Sequence, residues 1–295
     1  MKAICIKNLK HNFNEKTVLD NINFDVDTGE IFGLLGPSGA GKTTLIHILT
    51  GQLKATCGDS FILGISSTNM TGENYRQIGV MMDNFGLYER MSCYDNLKFY
   101  QMIDSNKNNK QQALKNKHMF DKNIESILND VGLLDAKKTL VMNLSKGMTN
   151  RLAFARAILR TPAILFLDEP TSGLDPTTVE AIHKMILTEK KRGTTIFLTT
   201  HNMYEAEKLC DNIALLNNGK IIEYGTPSDI CRRYNHQKRI HIHLKNGEDI
   251  SLEHNIECGE QIKSYFLEDA VETIHSTEPN LETVFMELTG RKFER

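Results

Sequence analysis

The sequence predicts an α/β fold with a mainly parallel sheet between helices, followed by a small α+β appendage. Short apolar runs alternate with helix-like segments up to about residue 225, and clear examples are 31–35, 163–167 and 195–199. Uninterrupted runs of this length are typical of strands that are buried on both faces, as in parallel sheets covered by helices. A glycine-rich loop follows the first run, and a helix-like segment follows the loop.

Length and composition fit an ordinary globular protein and exclude several classes. The 295 residues allow one large domain, or a large and a small one, with 40% hydrophobic and 24% charged residues. The formal net charge of -2 provides no positive field, so we expect no nucleic-acid partner. No apolar run approaches the roughly 18 residues of a membrane span, and no secretory signal is visible. The 6 cysteines include no Cys-x-x-Cys pair, which favours reduced thiols over a thiolate metal site.

The glycine-rich loop matches the phosphate-binding pattern Gly-x-x-x-x-Gly-Lys-Ser/Thr. In such a loop the backbone N–H groups and the following helix N-terminus face phosphate oxygens. We expect Lys42 to contact the β- and γ-phosphates and Thr43 to bind Mg²⁺. After the loop, four apolar residues predict one face of a helix, and Gly51 predicts its end. The four residues are Leu45, Ile46, Ile48 and Leu49. The predicted nucleotide-binding residues are Gly36, Pro37, Ser38, Gly39, Ala40, Gly41, Lys42, Thr43 and Thr44.

A second apolar run, 163–167, leads into two acidic residues, Asp168 and Glu169. Asp168 at the end of a strand can hold Mg²⁺ through water, and Glu169 can orient or deprotonate an attacking water molecule. Many strands end in acidic residues, so this pattern has little weight alone. Pro170 ends the strand, and a turn-rich loop follows at 172–175.

The residues between these two motifs indicate a particular family. Leu144-Ser145-Lys146-Gly147-Met148 resembles the signature motif of ABC ATPases, usually Leu-Ser-Gly-Gly-Gln, and the helix-like segment after it is also similar. The chain resembles an ABC ATPase over residues 3 to 233, and residues 236–295 form the appendage. The resemblance implies a P-loop NTPase core, an antiparallel β subdomain and a helical subdomain that carries the signature motif.

The resemblance also assigns residue roles. It implies that the signature residues Ser145, Lys146, Gly147 and Met148 contact ATP bound to a partner subunit, and that His201 is the switch histidine near the γ-phosphate. Phe13 stands where an aromatic ring stacks on adenine, although an aromatic residue in such a segment can also belong to the core. A loop called the D-loop in this family corresponds to Ser172, Gly173, Leu174 and Asp175.

Three positions depart from the family pattern. The third and fifth residues of the signature motif are Lys146 and Met148 instead of Gly and Gln. Asp83 stands where most members have a Gln that ligates Mg²⁺ and senses the membrane partner. A carboxylate is a hard oxygen ligand, so Asp83 is a candidate metal ligand together with Thr43 and Asp168. The alternative is a loop acid that faces solvent.

The appendage has its own signals. Ile240, Ile242 and Leu244 alternate before Asn246-Gly247, and alternation then resumes, which predicts a hairpin. A helix is predicted near residue 285, with Asn280 as its N-cap and Gly290 as its end. Its apolar face consists of Leu281, Val284, Phe285 and Leu288. The polar segment 106–112 is expected to be a solvated loop or helix face, or an insertion that meets a partner.

The chain has one phosphate loop and one signature motif, so the resemblance implies a homodimer or a pair with a close relative. Motion of that pair, driven by ATP and Mg²⁺, would act on separate membrane subunits at the cytoplasmic face of the cell membrane. The segments 85–92 and 279–290 are similar to exporters of drugs, bacitracin-type antibiotics and lantibiotics. The alternatives are a permease-free ABC ATPase of the iron–sulfur assembly or repair type, and a small-molecule P-loop kinase, which would lack the signature helix.

Overall fold

The computed structural model describes residues 1–82, 86–103, 121–235, 239–253, 255–276 and 279–290. Within these residues the chain divides into two compact units, the first from Met1 to Tyr224 and the second from Gly225 onward. Asp83 and the polar segment 106–112 lie outside the described residues, so the expectations for both stay predictions. The domain limits inferred from the sequence, 3–233 and 236–295, also stay predictions.

Among the described residues, a six-stranded sheet runs through the first unit in the order β10-β9-β3-β8-β7-β6. Its strands are β3 (Ile31–Leu35), β6 (Ile78–Met81), β7 (Ile164–Asp168), β8 (Thr195–Thr200), β9 (Asn212–Asn217) and β10 (Lys220–Gly225). The pairs β6–β7, β7–β8, β8–β3 and β3–β9 are parallel. Every residue of β3, β7 and β8 is buried, which confirms the mainly parallel sheet.

A second, antiparallel sheet packs on the first unit's core. In the described part of the chain it has the order β2-β1-β4-β5. The strands are β1 (Lys2–Phe13), β2 (Lys16–Asp27), β4 (Cys57–Ile62) and β5 (Ile65–Ser66). Phe24 of β2 stacks on Phe32 of β3 with ring centroids 4.9 Å apart, and Phe32 stacks on Phe197 of β8 at 5.5 Å. These rings join both sheets in one hydrophobic core, and the expected antiparallel subdomain is confirmed.

Helices pack on the large sheet and on one another. They are α1 (Lys42–Leu49), α2 (Gly72–Tyr75), α3 (Cys93–Met102), α4 (121–130), α5 (Lys146–Ile158), α6 (Pro176–Lys191) and α7 (Met203–Leu209), with 3-10 turns at Ser67–Asn69 and Val141–Asn143. Helix α1 buries the four apolar residues of its predicted face. Helices α3 and α5 pack together, as expected for the helical subdomain. The segments after β3, β7 and β8 leave one edge of the sheet, because these strands are parallel.

The second unit contains α8 (Pro227–Arg233), β11 (Arg239–Leu244), β12 (Asp249–Glu253), α9 (Ile256–Leu267), β13 (Val271–Ser276) and α10 (Leu281–Thr289). Among its described residues, three strands pair antiparallel in the order β12-β11-β13. Strands β11 and β12 form the predicted hairpin. Asn280 caps α10 by accepting the Thr283 N–H at 2.8 Å, and Gly290 ends it with φ +64°. The sequence did not single out α9 or β13 as separate elements.

Candidate active site

The phosphate loop, Gly36–Thr43, lies where β3 ends and α1 begins. Its first residue, Gly36, passes so close to β9 that a Cβ atom there would lie 2.2 Å from the carbonyl oxygen of Leu216. Gly41 has φ +110°, a conformation that residues with side chains rarely adopt. Both positions therefore need glycine. Pro37, Ser38, Gly39 and Ala40 lie between them, with Ser38 and Gly39 exposed, and Lys42, Thr43 and Thr44 form the first turn of α1.

Lys42 places a buried positive charge inside this loop. Its side chain is 6% exposed, and Nζ donates to the carbonyl oxygens of Gly36 at 2.7 Å and Pro37 at 3.3 Å. Nζ also lies 3.0 Å from Oε1 of Glu169. Two neutral carbonyls leave the ammonium charge to be balanced by an anion. In this structure the anion is Glu169, and phosphate oxygens are the other anions that such a loop accepts.

Asp168 and Thr43 bring two hard oxygen atoms together beside Lys42. The Thr43 hydroxyl donates to Oδ2 of Asp168 at 2.8 Å, and the Thr199 hydroxyl donates to Oδ1 of the same carboxylate. Asp168 is only 3% exposed, so these hydrogen bonds fix its orientation. A hydroxyl and a carboxylate at this separation fit the oxygen ligands that Mg²⁺ prefers. In the described part of the chain, no group of three or more His, Cys, Asp or Glu side chains is placed to hold a metal ion by itself.

Glu169 sits in a strained turn directly after β7. Its φ is +50°, in the left-handed region, where a residue with a side chain costs roughly 1–2 kcal/mol. The Glu169 N–H donates to the backbone oxygen of Thr199 at 3.0 Å and to its hydroxyl at 3.2 Å. Oε2 of Glu169 lies 2.5 Å from Nδ1 of His201, which follows β8. One carboxylate therefore joins Lys42 and His201, and the turn aims it at the phosphate loop.

The signature motif begins helix α5. Ser145 is the N-cap, and its hydroxyl accepts the Met148 N–H at 3.2 Å. Gly147 lies close to Thr178 of α6, where an added Cβ atom would approach the threonine side chain to 3.0 Å. In the described structure, none of the hydrogen bonds or ion pairs of Ser145, Lys146, Gly147 or Met148 reaches the phosphate loop. The signature motif and the phosphate loop of one chain thus form two separate groups.

The D-loop, Ser172–Asp175, lies against the signature motif. A Cβ atom on Gly173 would lie 2.4 Å from Nζ of Lys146, so the lysine side chain packs on this backbone. Asp175 caps α6 by accepting the Thr178 N–H at 3.0 Å and the Thr178 hydroxyl at 2.6 Å. These hydrogen bonds, the hydroxyl first, hold the pKa of Asp175 below its ordinary value. Asp175 therefore stays ionised as a cap to a lower pH than an aspartate without these hydrogen bonds.

Phe13 ends β1 with its ring half exposed, at 49%. The ring packs edge-to-face on His11, with centroids 4.6 Å apart and an angle of 84° between the planes. It is therefore an exposed aromatic surface and not part of the core, the alternative that the sequence left open. Asp83, the remaining predicted metal ligand, lies outside the described residues.

Sequence reasoning missed several residues that support the site. Thr199 contacts both Asp168 and Glu169, and Asn150 of α5 donates to the backbone oxygen of Pro170 at 3.2 Å. Glu205 of α7 accepts the Thr171 hydroxyl at 2.7 Å. Thr199 lies in a predicted strand and Asn150 in a predicted helix, whereas no element was predicted at Glu205. A polar residue at a buried position was the available signal.

The comparisons agree with this arrangement. The model of the ABC transporter family matches residues 19–172, slightly more than half of the chain. The chain belongs to this family, as an ATP-binding cassette, and members of this class are ATPases coupled to transport. The fold and the resemblance stated from the sequence are thereby confirmed.

Two similar proteins are named for export or transport. The fluoroquinolones export ATP-binding protein of Mycobacterium tuberculosis is 37% identical over 92% of this chain and 87% of its own length. The lantibiotic transport ATP-binding protein SrtF of Streptococcus pyogenes is 33% identical over 79% of this chain and 96% of its own length. A solved ATP-binding subunit of an ABC transporter, 27% identical, superposes with a TM-score of 0.67 over 79% of this chain and 93% of its own. Among the helices described in this structure, none is long and apolar enough to cross a membrane.

Proposed function

We propose that this chain is the ATP-hydrolysing subunit of an exporter and that it acts as a pair of ATP-binding subunits on separate membrane subunits. The observation that carries the proposal is the Lys42–Glu169–His201 chain of contacts beside Asp168 and Thr43. It provides a cation for phosphate, a carboxylate for water and an oxygen pair for a metal. The assignment covers residues 3–233 as the ATP-binding domain and leaves 236–295 as an appendage.

Hydrolysis in this proposal depends on Glu169. Its carboxylate accepts a proton from, or orients, the water molecule that attacks the γ-phosphate. His201 holds Oε2 of Glu169 at 2.5 Å and lies partly exposed, at 45%, where its free ring nitrogen can contact the γ-phosphate. When Lys42 binds phosphate oxygens, its ion pair with Glu169 is weakened. The carboxylate is then available to the water molecule.

Mg²⁺ fits between Thr43 and Asp168, next to the Glu169 carboxylate. Thr43 and Asp168 would hold it, with Asp83 as a further ligand that the sequence predicts, and the metal would neutralise charge on the β- and γ-phosphate oxygens. Thr199 keeps Asp168 turned toward Thr43 through its hydrogen bond to Oδ1. Phe13 provides an exposed ring for the adenine base.

The signature motif is proposed to complete the ATP site of a second subunit. Ser145 and Gly147 stand at the N-terminus of the 13-residue helix α5, whose N–H groups and dipole favour an anion. Among the described residues, no hydrogen bond or ion pair of the signature motif reaches its own phosphate loop, so we assign that anion to a second subunit. ATP would then bridge two subunits, and loss of the γ-phosphate would let them separate.

Replacing Lys42 with alanine is expected to weaken ATP binding about ten- to a hundredfold, since a charge-assisted hydrogen bond contributes about 1.5–3 kcal/mol. The glycine positions that shape the loop are unchanged, so the fold should persist. Titration calorimetry with ATP measures the affinity. Lys54→Ala, a lysine outside the site, is the matched control. Equal ATP affinity in Lys42→Ala and the control would contradict the role of Lys42.

Export is proposed from the relatives, which are named for fluoroquinolone export and lantibiotic transport. Drugs or antimicrobial peptides are the substrate classes, and the cytoplasmic face of the cell membrane is the proposed location. The test is to compare host cells that carry the wild-type chain with cells that carry Glu169→Gln in its place, and to measure cellular accumulation of a fluoroquinolone and of a lantibiotic. Lower accumulation with the wild type than with Glu169→Gln supports export. Equal accumulation of both compounds contradicts these substrate classes.

A further inference from the structure

The strained turn that carries Glu169 is held at three points. The N–H of Glu169 is held by Thr199, and the backbone oxygen of Pro170 is held by Asn150. The third point is Thr171, whose hydroxyl donates to Oε1 of Glu205 at 2.7 Å. The first two points act on the backbone, whereas the third depends on one side-chain hydroxyl and one carboxylate.

Glu205 is an unusual residue for its position. It is 1% exposed, and a carboxylate is seldom buried unless other groups compensate it. Its Oε1 is shared by the Thr171 hydroxyl and by Nε2 of His183 at 3.0 Å. Its second oxygen, Oε2, and Nδ1 of His183 are buried without a hydrogen-bond partner. Burying a partly unpaired carboxylate is costly, and its hydrogen bonds to Thr171 and His183 are the contacts that offset this cost.

The three members of this cluster come from the three segments that shape the site. Thr171 is two residues after Glu169 and directly precedes the D-loop. Glu205 lies in α7, whose N-cap Asn202 directly follows His201. His183 lies in α6, which Asp175 of the D-loop caps. A single carboxylate oxygen therefore links the segment of Glu169 to the segment of His201 and to the helix after the D-loop.

We propose that Glu205 is a positioning residue that fixes Glu169 and His201 relative to each other through its contacts with Thr171 and His183. This proposal rests on the proposed ATPase function of the same site. Glu205 does not touch the nucleotide. It fixes the turn 169–171 relative to the start of α7, so that the Glu169 carboxylate stays within reach of His201.

The first test removes the hydroxyl of Thr171 and keeps its shape. Thr171→Val is expected to lower kcat about ten- to a hundredfold, because small displacements of a catalytic group have effects of this size. KM for ATP and ATP affinity should stay within about twofold, since the phosphate loop is untouched. Thr171→Ser keeps the hydroxyl and should retain kcat close to the wild type. Thr171→Ala carries the same test if the valine variant does not fold.

The same assay separates failure of this proposal from failure of the proposed function. Wild-type turnover that Glu169→Gln abolishes secures the role of Glu169. With that result, wild-type kcat in Thr171→Val overturns the role of Glu205 alone, as does a loss of kcat that Thr171→Ser shares. If Glu169→Gln is as active as the wild type, both proposals fail. A double variant, Thr171→Val with Glu205→Gln, should be no slower than the slower single variant, and multiplied losses would contradict action through the contact between Thr171 and Glu205.

Discussion

The Glu169→Gln variant is expected to lose about a hundred- to ten-thousandfold in kcat, the range that removal of a general base produces. The amide cannot accept a proton from water. It also removes the ion pair that joins Oε1 to Lys42 at 3.0 Å, and it carries no charge to repel the γ-phosphate. ATP should therefore bind at least as tightly as to the wild type, and ATP-loaded dimers should accumulate.

Steady-state phosphate release measures kcat, and titration with nucleotide measures the affinity for ATP. Glu73→Gln on the exposed helix α2 makes the same chemical change away from the site and should leave both values unchanged. Normal turnover in Glu169→Gln would remove this residue from the chemistry. Loss of ATP binding together with turnover would instead indicate that the carboxylate is needed to shape the loop.

The second large effect is expected from Ser145→Arg, which should prevent ATP-driven dimerisation while an isolated subunit still binds ATP. Ser145 stands at the N-terminus of α5, exposed and outside its own phosphate loop. An arginine side chain there would occupy the space in which the partner's ATP is proposed to lie. The experiment is size-exclusion chromatography with ATP on a Glu169→Gln background, where dimers are longest-lived.

Ser145 also caps α5, so part of any effect could come from a weaker helix. Loss of an N-cap costs about 0.5–2 kcal/mol of stability, which thermal unfolding detects. Ser145→Ala loses the same cap without adding bulk and serves as the matched control. We expect it to form more dimer than Ser145→Arg at equal ATP concentration. An undiminished dimer peak for Ser145→Arg would place the residue outside any shared site.

The pattern of apolar residues along the sequence predicted much of the fold, because it indicates which residues are buried. Uninterrupted apolar runs correctly predicted β3 and β8, and the run from Ala163 corresponds to β7, which starts one residue later. The glycine loop was visible because close backbone approach excludes side chains at Gly36. In the second unit, the alternation after residue 239 and the Asn280 cap predicted β11, β12 and α10.

The supports of the site were not predictable in this way. Thr199 is 31 residues from Asp168, and Glu205 is 34 residues from Thr171. Their partners become neighbours only because parallel strands deliver the segments after β7 and β8 to one edge of the sheet. Periodicity describes which face of an element is buried, and it does not say which polar groups meet there. The roles of Ser145, Phe13 and Asp83 came from family resemblance and stay predictions.

The central claim is that each ATP site takes its phosphate loop from one subunit and its signature motif from another. Mixing two variants that each damage one half of the site, Lys42→Ala and Ser145→Arg, tests it directly. In a mixed dimer the phosphate loop of the Ser145→Arg subunit faces the intact signature motif of the Lys42→Ala subunit. Random pairing makes half of the dimers mixed, each with one intact site, so equal mixing should restore about a quarter of the wild-type ATPase activity. A mixture no more active than its separate components would contradict the shared site.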